Sequence, residues 1–296
     1  MIYWTRADYG KQIVATLSRQ LTNSYGKGFE EKNLRRIMQF AQVFPDEQIV
    51  VSVIRQLTWT HFIALLPIKD DLQREFYTVM CRMEKWSVRT LREKIDSLLF
   101  ERTAISKKPD ALIKKELKAL RDTDVLTPDL VFRDTYMLGF LGLTYAYSEK
   151  NLEEAILREM EQFILEMGQG FAFVERQKRM IIDGEDFNLD LLFYHRKLKR
   201  LIAIDLKLGK FKAGYKSQME LYLRWLEKNE MQPGEEVPLG LLLCTEGNKE
   251  QIELLQLDKV GIKVAEYLTD LPSKKLLQQK LHKTLEMAKE RLEKKE

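Results

Sequence analysis

Only two cysteines, Cys81 and Cys244, and three histidines occur among 296 residues. Thiols so far apart on apolar stretches build no disulfide framework, and no Cys/His cluster has the spacing of a zinc site. They read as reduced core thiols, which places the chain in the cytoplasm. No run of about 18 uncharged apolar residues occurs, so no helix is expected to span a membrane. The opening MIYWTRADYGK lacks the apolar core of a secretion signal. An excess of one charge is missing too. A formal net charge of +4 neither requires nor excludes a nucleic-acid partner.

What remains is an ordinary folded composition, 45% hydrophobic and 32% charged, in a chain long enough for two domains. The expected division is a helical domain over residues 1–147 and an α/β domain over 148–296, giving an α+β protein overall. In the first, Tyr9–Leu21 carries Ile13, Leu17 and Leu21 at helical spacing, and Ser24–Gly28 breaks it. Phe29–Val43 resumes with Leu34, Ile37, Met38 and Ala41 as its stripe and ends at Pro45. Two helices about a Gly-containing turn, the second with Lys32, Arg35 and Arg36 outward, form a helix-turn-helix pattern. Those three residues either contact nucleic acid or form a solvated basic face.

Thr58 or Thr60 caps Thr58–Leu66. Asp70–Lys85 and Val88–Phe100 follow as amphipathic helices, the latter capped by Ser87. Trp59, His61 and Trp86 read as core residues more readily than as base-stacking platforms. Ser106–Asp129 is a charged bridge, extended or partly helical, and Leu138–Leu143 is an apolar segment that docks it on one domain or the other.

The second half runs helix, three strands, helix, strand, short helix, strand, with a charged terminal helix over Lys274–Glu296. The helix Asn151–Met167 buries Leu152, Ile156, Met160, Phe163 and Met167. Strands are expected at Phe171–Ile182, Phe187–His195, Leu201–Leu208, Val237–Thr245 and Val260–Tyr267. The second and third form a hairpin across Arg196–Arg200.

Three charges interrupt that apolar hairpin: Asp190, Asp205 and Lys207. Side chains alternate along a strand, so Asp205 and Lys207 share a face about 7 Å apart. A hairpin symmetric about Lys197–Leu198 sets Asp190 opposite Asp205, with Cβ atoms about 5 Å apart. Like charges so placed repel, and burying them unpaired costs several kcal/mol. A hard divalent cation would remove the repulsion. The alternative is a Lys207–Asp pair on a solvated face, contributing roughly 0–1 kcal/mol. Apolar residues on both faces favour burial and a site. Arg176, Lys178, Arg179, Arg196, Lys197, Lys199, Arg200, Lys210, Lys212 and Lys216 surround it, as a phosphodiester backbone would require or as solvated strand ends show.

Asp190 followed by Asp205-Leu206-Lys207 resembles the D…(D/E)xK signature of the PD-(D/E)xK nuclease superfamily. GFAFVERQ (170–177), DFNLDLLFYHRKLKRLIAIDLKLGKFK (186–212) and IRQLTWTHFIALL (54–66) resemble the YhcG-type family. The resemblance covers nearly the whole chain, with Asp205 where that family's motif is expected to carry Glu. It implies a restriction-endonuclease-like fold with a mixed sheet flanked by helices, and more residues before the present start. It also implies Mg²⁺-dependent cleavage of nucleic acid, DNA foremost, with Mn²⁺ as a possible substitute. Asp190, Asp205 and Glu161 would be the metal ligands, Glu154 being the second choice on that helix. Lys207 would stabilise developing charge, Gln218 would orient water or substrate, and Lys210 and Lys212 would meet the backbone. Cutting two strands would favour a homodimer. The competing expectation is a nucleic-acid-binding or complex-forming protein whose nuclease fold is an inactive scaffold. A helical interaction module that regulates a neighbouring enzyme is a further alternative.

Overall fold

The computed structural model describes residues 6–45, 56–143, 147–247, 249–270 and 273–293. Ile54 and Arg55 of the stretch quoted above lie outside the described residues. The chain divides into two compact units, Met1–Asp96 and Ser97–Glu296.

The first unit is helical: α1 (Arg6–Tyr25), α2 (Glu31–Val43), α3 (Trp59–Leu65), α4 (Asp71–Glu84) and α5 (Val88–Asp96). A 3₁₀ turn at Lys27–Phe29 joins α1 to α2, and Ser18 Oγ ties it to α1 by donating to the Phe29 carbonyl at 2.8 Å. The buried stripe of α2 differs from the expected one. Leu34 is buried, but Met38 is 45% exposed, while Phe40 and Phe44 pack edge-on against Phe62 at 4.9 and 5.5 Å. Rings offer more apolar area than Met or Ala, so they set the rotation of the helix. On α1, likewise, Val14 and Ser18 are buried while Ile13 and Leu17 are exposed. His61 is a core residue as expected. Its Nδ1 accepts the Thr58 N–H at 3.1 Å, which leaves the proton on Nε2 to donate to the Trp86 carbonyl at 3.1 Å.

The second unit holds α6 (Leu99–Arg102), α7 (Asp110–Thr123), α8 (Pro128–Val131), β1 (Thr135–Met137), α9 (Glu149–Arg158), α10 (Met160–Met167), β2 (Phe171–Ile182), β3 (Glu185–His195), β4 (Arg200–Lys210), α11 (Gly214–Asn229), β5 (Leu239–Glu246), α12 (Lys249–Leu254), β6 (Ile262–Leu268) and α13 (Lys274–Glu293). One mixed sheet runs β1-β6-β5-β4-β3-β2, antiparallel from β2 to β4 and parallel from β4 to β1. Leu191, Phe193, Ile202, Ile204 and Leu206 pack with Ile156 and Phe163 on one face. Leu201, Ala203, Leu242 and Cys244 pack with Met219, Tyr222 and Leu226 on the other. β4 and β5 read as continuous apolar runs because both faces are covered. Gly240 lets α11 lie close on β5, since a Cβ there would come 2.6 Å from Met219 Cγ.

The division between the two compact units falls at 96/97, whereas the sequence sets the domain boundary near residue 147. Phe132, Tyr136, Leu138 and Leu141 belong to the core of the sheet unit, and β1 adds a sixth strand beside β6. Three residues are too few to show alternation, so this strand gave no periodic signal. The expected single helix Asn151–Met167 is two helices, broken at Glu159 (φ −106°, ψ 33°). The turns of the hairpins close differently. Asp183 and Gly184 both take positive φ (51° and 83°), as a two-residue turn requires. In the β3–β4 turn the His195 ring accepts the Leu198 N–H at 3.1 Å and Lys199 adopts φ 50°, which replaces the missing Gly or Asn.

A buried charge cluster fixes residues 97–137 to the sheet. Glu166 receives Arg102 at 2.5 Å, Arg133 at 2.8 Å and the Met137 N–H at 2.9 Å. Burial alone would raise the Glu166 pKa, but the two guanidiniums hold it below the usual range. Glu166→Leu would strand two buried guanidiniums, so stability to urea should fall by about 3–5 kcal/mol. A loss below about 1 kcal/mol, the value of an exposed pair, would contradict this reading.

Candidate active site

The β3–β4 ladder pairs Leu191 with Ile204 through His195 with Arg200, the register expected from the sequence. One step beyond, the same register brings Asp190 level with Asp205. The Leu206 N–H donates to Asp190 Oδ2 at 2.7 Å, so the carboxylate of β3 reaches the backbone of β4. Asp205 is 2% exposed. Lys207 Nζ lies 2.8 Å from its Oδ2, the one cation paired with this buried carboxylate among the described residues. Lys207 also sits 5.3 Å from the Tyr215 ring centroid.

Burial and the charge of Asp190 push the Asp205 pKa up to about 7, against the pull of Lys207. Burial alone would lower the Lys207 pKa, but Asp205, Asp190 and Glu149 raise it. The lysine is therefore a held cation beside two carboxylates.

The acidic residue that α9–α10 brings to this centre is Glu153, not Glu161 or Glu154. Glu153 is buried, and its Oε2 accepts Gln177 Nε2 at 2.7 Å; the same amide reaches Asp190 Oδ1 at 3.2 Å. Burial and the Asp190 charge raise the Glu153 pKa. Glu161 is exposed in the first turn of α10, and Glu154 is exposed with Lys150 3.9 Å away. The break at Glu159 resets the helical phase that had placed Glu161 beside the apolar stripe. Glu149, at the start of α9, accepts the Leu208 N–H at 2.9 Å where the β4–β5 ladder is interrupted. Neither Glu153 nor Gln177 was singled out in the sequence. The only available signal was a glutamate between Leu152 and Ile156 on the buried side of the helix.

Gln218 does not touch the carboxylates. It donates to the Tyr222 hydroxyl at 2.6 Å, and that hydroxyl donates to the Asn188 carbonyl at 3.2 Å on β3. Burial raises the Tyr222 pKa, and the charges of Asp205, Lys207 and Asp190 act on it, so the Gln218–Tyr222 pair borders the centre. The surrounding basic ring is largely paired. Lys178 meets Glu230 at 2.8 Å, Arg179 meets Asp186 at 2.6 Å, and Lys210 meets Glu246 at 3.5 Å. Lys212 is exposed.

Among the described residues no three His, Cys, Asp or Glu side chains converge as a metal cluster. The donor set still fits Mg²⁺, which takes one or two carboxylates and fills its octahedron with waters and phosphate oxygens. The buried Asp205 carboxylate beside Asp190, with one lysine as counter-charge, is the observation that supports this fit.

A D…DxK triad on adjacent strands of a mixed sheet covered by helices is the centre of a PD-(D/E)xK nuclease fold. The model of the YhcG PDDEXK nuclease domain matches residues 129–282, and that of the DUF1016 N-terminal domain matches residues 3–102. The chain belongs to the YhcG PDDEXK nuclease family. It is 34% identical over 309 aligned positions to YhcG of Escherichia coli (strain K12), covering 94% of this chain and 82% of that protein. Among solved structures, a repair endonuclease from Pyrococcus abyssi aligns at 22% identity and a TM-score of 0.30, over 44% of this chain and 50% of that one. EndoMS in complex with dsDNA aligns at 18% identity and a TM-score of 0.32, over 44% of this chain and 49% of that one. Both likenesses are weak and decide nothing about this chain.

A proton on Asp205 stabilises the metal-free fold below the unfolded carboxylate value, and that stabilisation is lost as pH rises through about 7. In EDTA, stability of the wild type relative to Asp205→Asn should therefore fall by about 2–3 kcal/mol between pH 5 and pH 8. Taking the difference cancels His195, whose burial lowers its pKa to about 4 and which acts in the opposite direction. Parallel pH profiles for the two proteins would contradict the assignment.

Proposed function

We propose that the chain is a Mg²⁺-dependent endonuclease that hydrolyses phosphodiester bonds of DNA, with Mn²⁺ able to replace Mg²⁺. The observation that carries this reading is the buried Asp205 carboxylate, set against Asp190 and 2.8 Å from Lys207. Asp190 and Asp205 would hold the cation, with the Leu206 carbonyl and Glu153 completing the set in the place first given to Glu161. The bound cation supplies Lewis acidity and neutralises charge on the scissile phosphate. Lys207, fixed by Asp205, presents an ammonium to the phosphate and offsets negative charge as it develops. Gln218 and Tyr222, joined to each other and to the Asn188 carbonyl, border the carboxylates and would orient water or substrate there.

In the helical unit, Lys32 is exposed and free to meet a phosphate, and Arg36 is half-buried. Arg35 is partly neutralised by Glu31 at 2.6 Å, so we assign it the weakest role of the three. Lys212, and Lys210 once released from Glu246, would contact the backbone beside the carboxylates. Both thiols are free and buried, as suits a protein of the cytoplasm. Cutting both strands of a duplex would call for two copies of the chain.

The test is cleavage of labelled duplex, branched and single-stranded DNA and of RNA, in Mg²⁺, Mn²⁺ or EDTA. DNA cutting should require the cation and fall at least about 100-fold in Asp190→Ala and in Lys207→Ala. Cutting by Asp190→Ala at the wild-type rate, or wild-type cutting in EDTA, would contradict the proposal.

A further inference from the structure

Gln177 is the one non-glycine residue with positive φ (46°) inside a strand among the described residues. The others, such as Lys85, Asp124 and Asp183, lie at helix caps or turns. Left-handed backbone is unfavourable for a residue with a Cβ, and such strain persists only where something holds it. Here packing does not hold it, because Gln177 is exposed on an edge strand. The ladder stays in register on both sides, with Arg176 opposite Leu191 and Lys178 opposite Leu189. The distortion is thus confined to one position, and the residue facing it across the ladder is Asp190. The side-chain amide goes to two carboxylates, Glu153 at 2.7 Å and Asp190 at 3.2 Å. An amide nitrogen donates without adding charge, so it can hold two repelling carboxylates side by side without competing for a cation as an ammonium would.

We propose that Gln177 is a positioning residue of the nuclease centre, whose amide holds Glu153 beside Asp190 so that Glu153 joins Asp190 and Asp205 at the cation. The left-handed backbone is what aims the amide inward from the sheet edge. This inference rests on the nuclease reading above.

Gln177→Gly accepts the backbone conformation and deletes the amide, and Gln177→Asn keeps an amide but shortens its reach. Three quantities separate the outcomes: melting temperature in EDTA, the Mg²⁺ concentration at half-maximal thermal stabilisation, and cleavage rate against Mg²⁺. Both variants should melt in EDTA no more than a few degrees from the wild type. Their Mg²⁺ midpoints should rise about tenfold, as when a ligand loses its supporting hydrogen bond. Cleavage should fall at low Mg²⁺ and recover towards the wild-type rate at high Mg²⁺. Midpoints and rates equal to those of a wild type that binds and cuts would overturn the positioning role and leave the nuclease reading standing. A wild type that neither binds Mg²⁺ nor cuts, or an Asp190→Ala protein that cuts normally, would overturn both.

Discussion

The repulsion between Asp190 and Asp205 is the constraint to which the rest of the sheet unit answers. Two carboxylates on neighbouring strands, one of them almost fully buried, oppose folding unless counter-charge is built around them. Lys207 supplies part of it from the same strand, and the Leu206 N–H and the Gln177 amide supply hydrogen bonds to Asp190. One lysine does not balance two carboxylates. Asp205 is where a divalent cation would be held most strongly, because the surroundings are apolar and the field is poorly screened.

Holding these groups together demands a strand register that does not slip, and several features serve that end. His195 closes the β3–β4 turn from within. Glu149 takes up the Leu208 N–H where β4 leaves β5, and α11 lies against Gly240 with Met219 beneath the site strands. Apolar side chains cover both faces of β4, so a one-residue shift would turn Asp205 and Lys207 into the opposite hydrophobic layer. The helical segment before β2 is secured separately by Arg102, Arg133 and Glu166. The site is therefore rigid at its strands and locally strained at Gln177.

The hairpin was legible because period-two alternation and turn symmetry fix which residues face each other, and both survive in a short apolar stretch. The triad Asp190, Asp205 and Lys207 followed from the same pattern, since charges inside a greasy strand are rare without a purpose. The acidic partner was misplaced because helical phase was carried through Glu159, where the backbone leaves the helix. Glu153 and Gln177 were hidden for another reason. Neither breaks a local rule in the sequence, and only the approach of α9 to β2 makes them neighbours. The strand Thr135–Met137 was too short to show a period, so its place at the edge of the sheet was not legible.

The claim that a cation supplies the missing counter-charge is tested most directly by calorimetric titration of the protein with Mg²⁺ near pH 7, in two buffers of different ionisation heat. With the Asp205 pKa at about 7 in the metal-free protein, binding should release part of a proton, and Asp205→Asn should abolish both binding and release. Mg²⁺ binding that is proton-neutral and unchanged in Asp205→Asn, or no binding to the wild type, would contradict it.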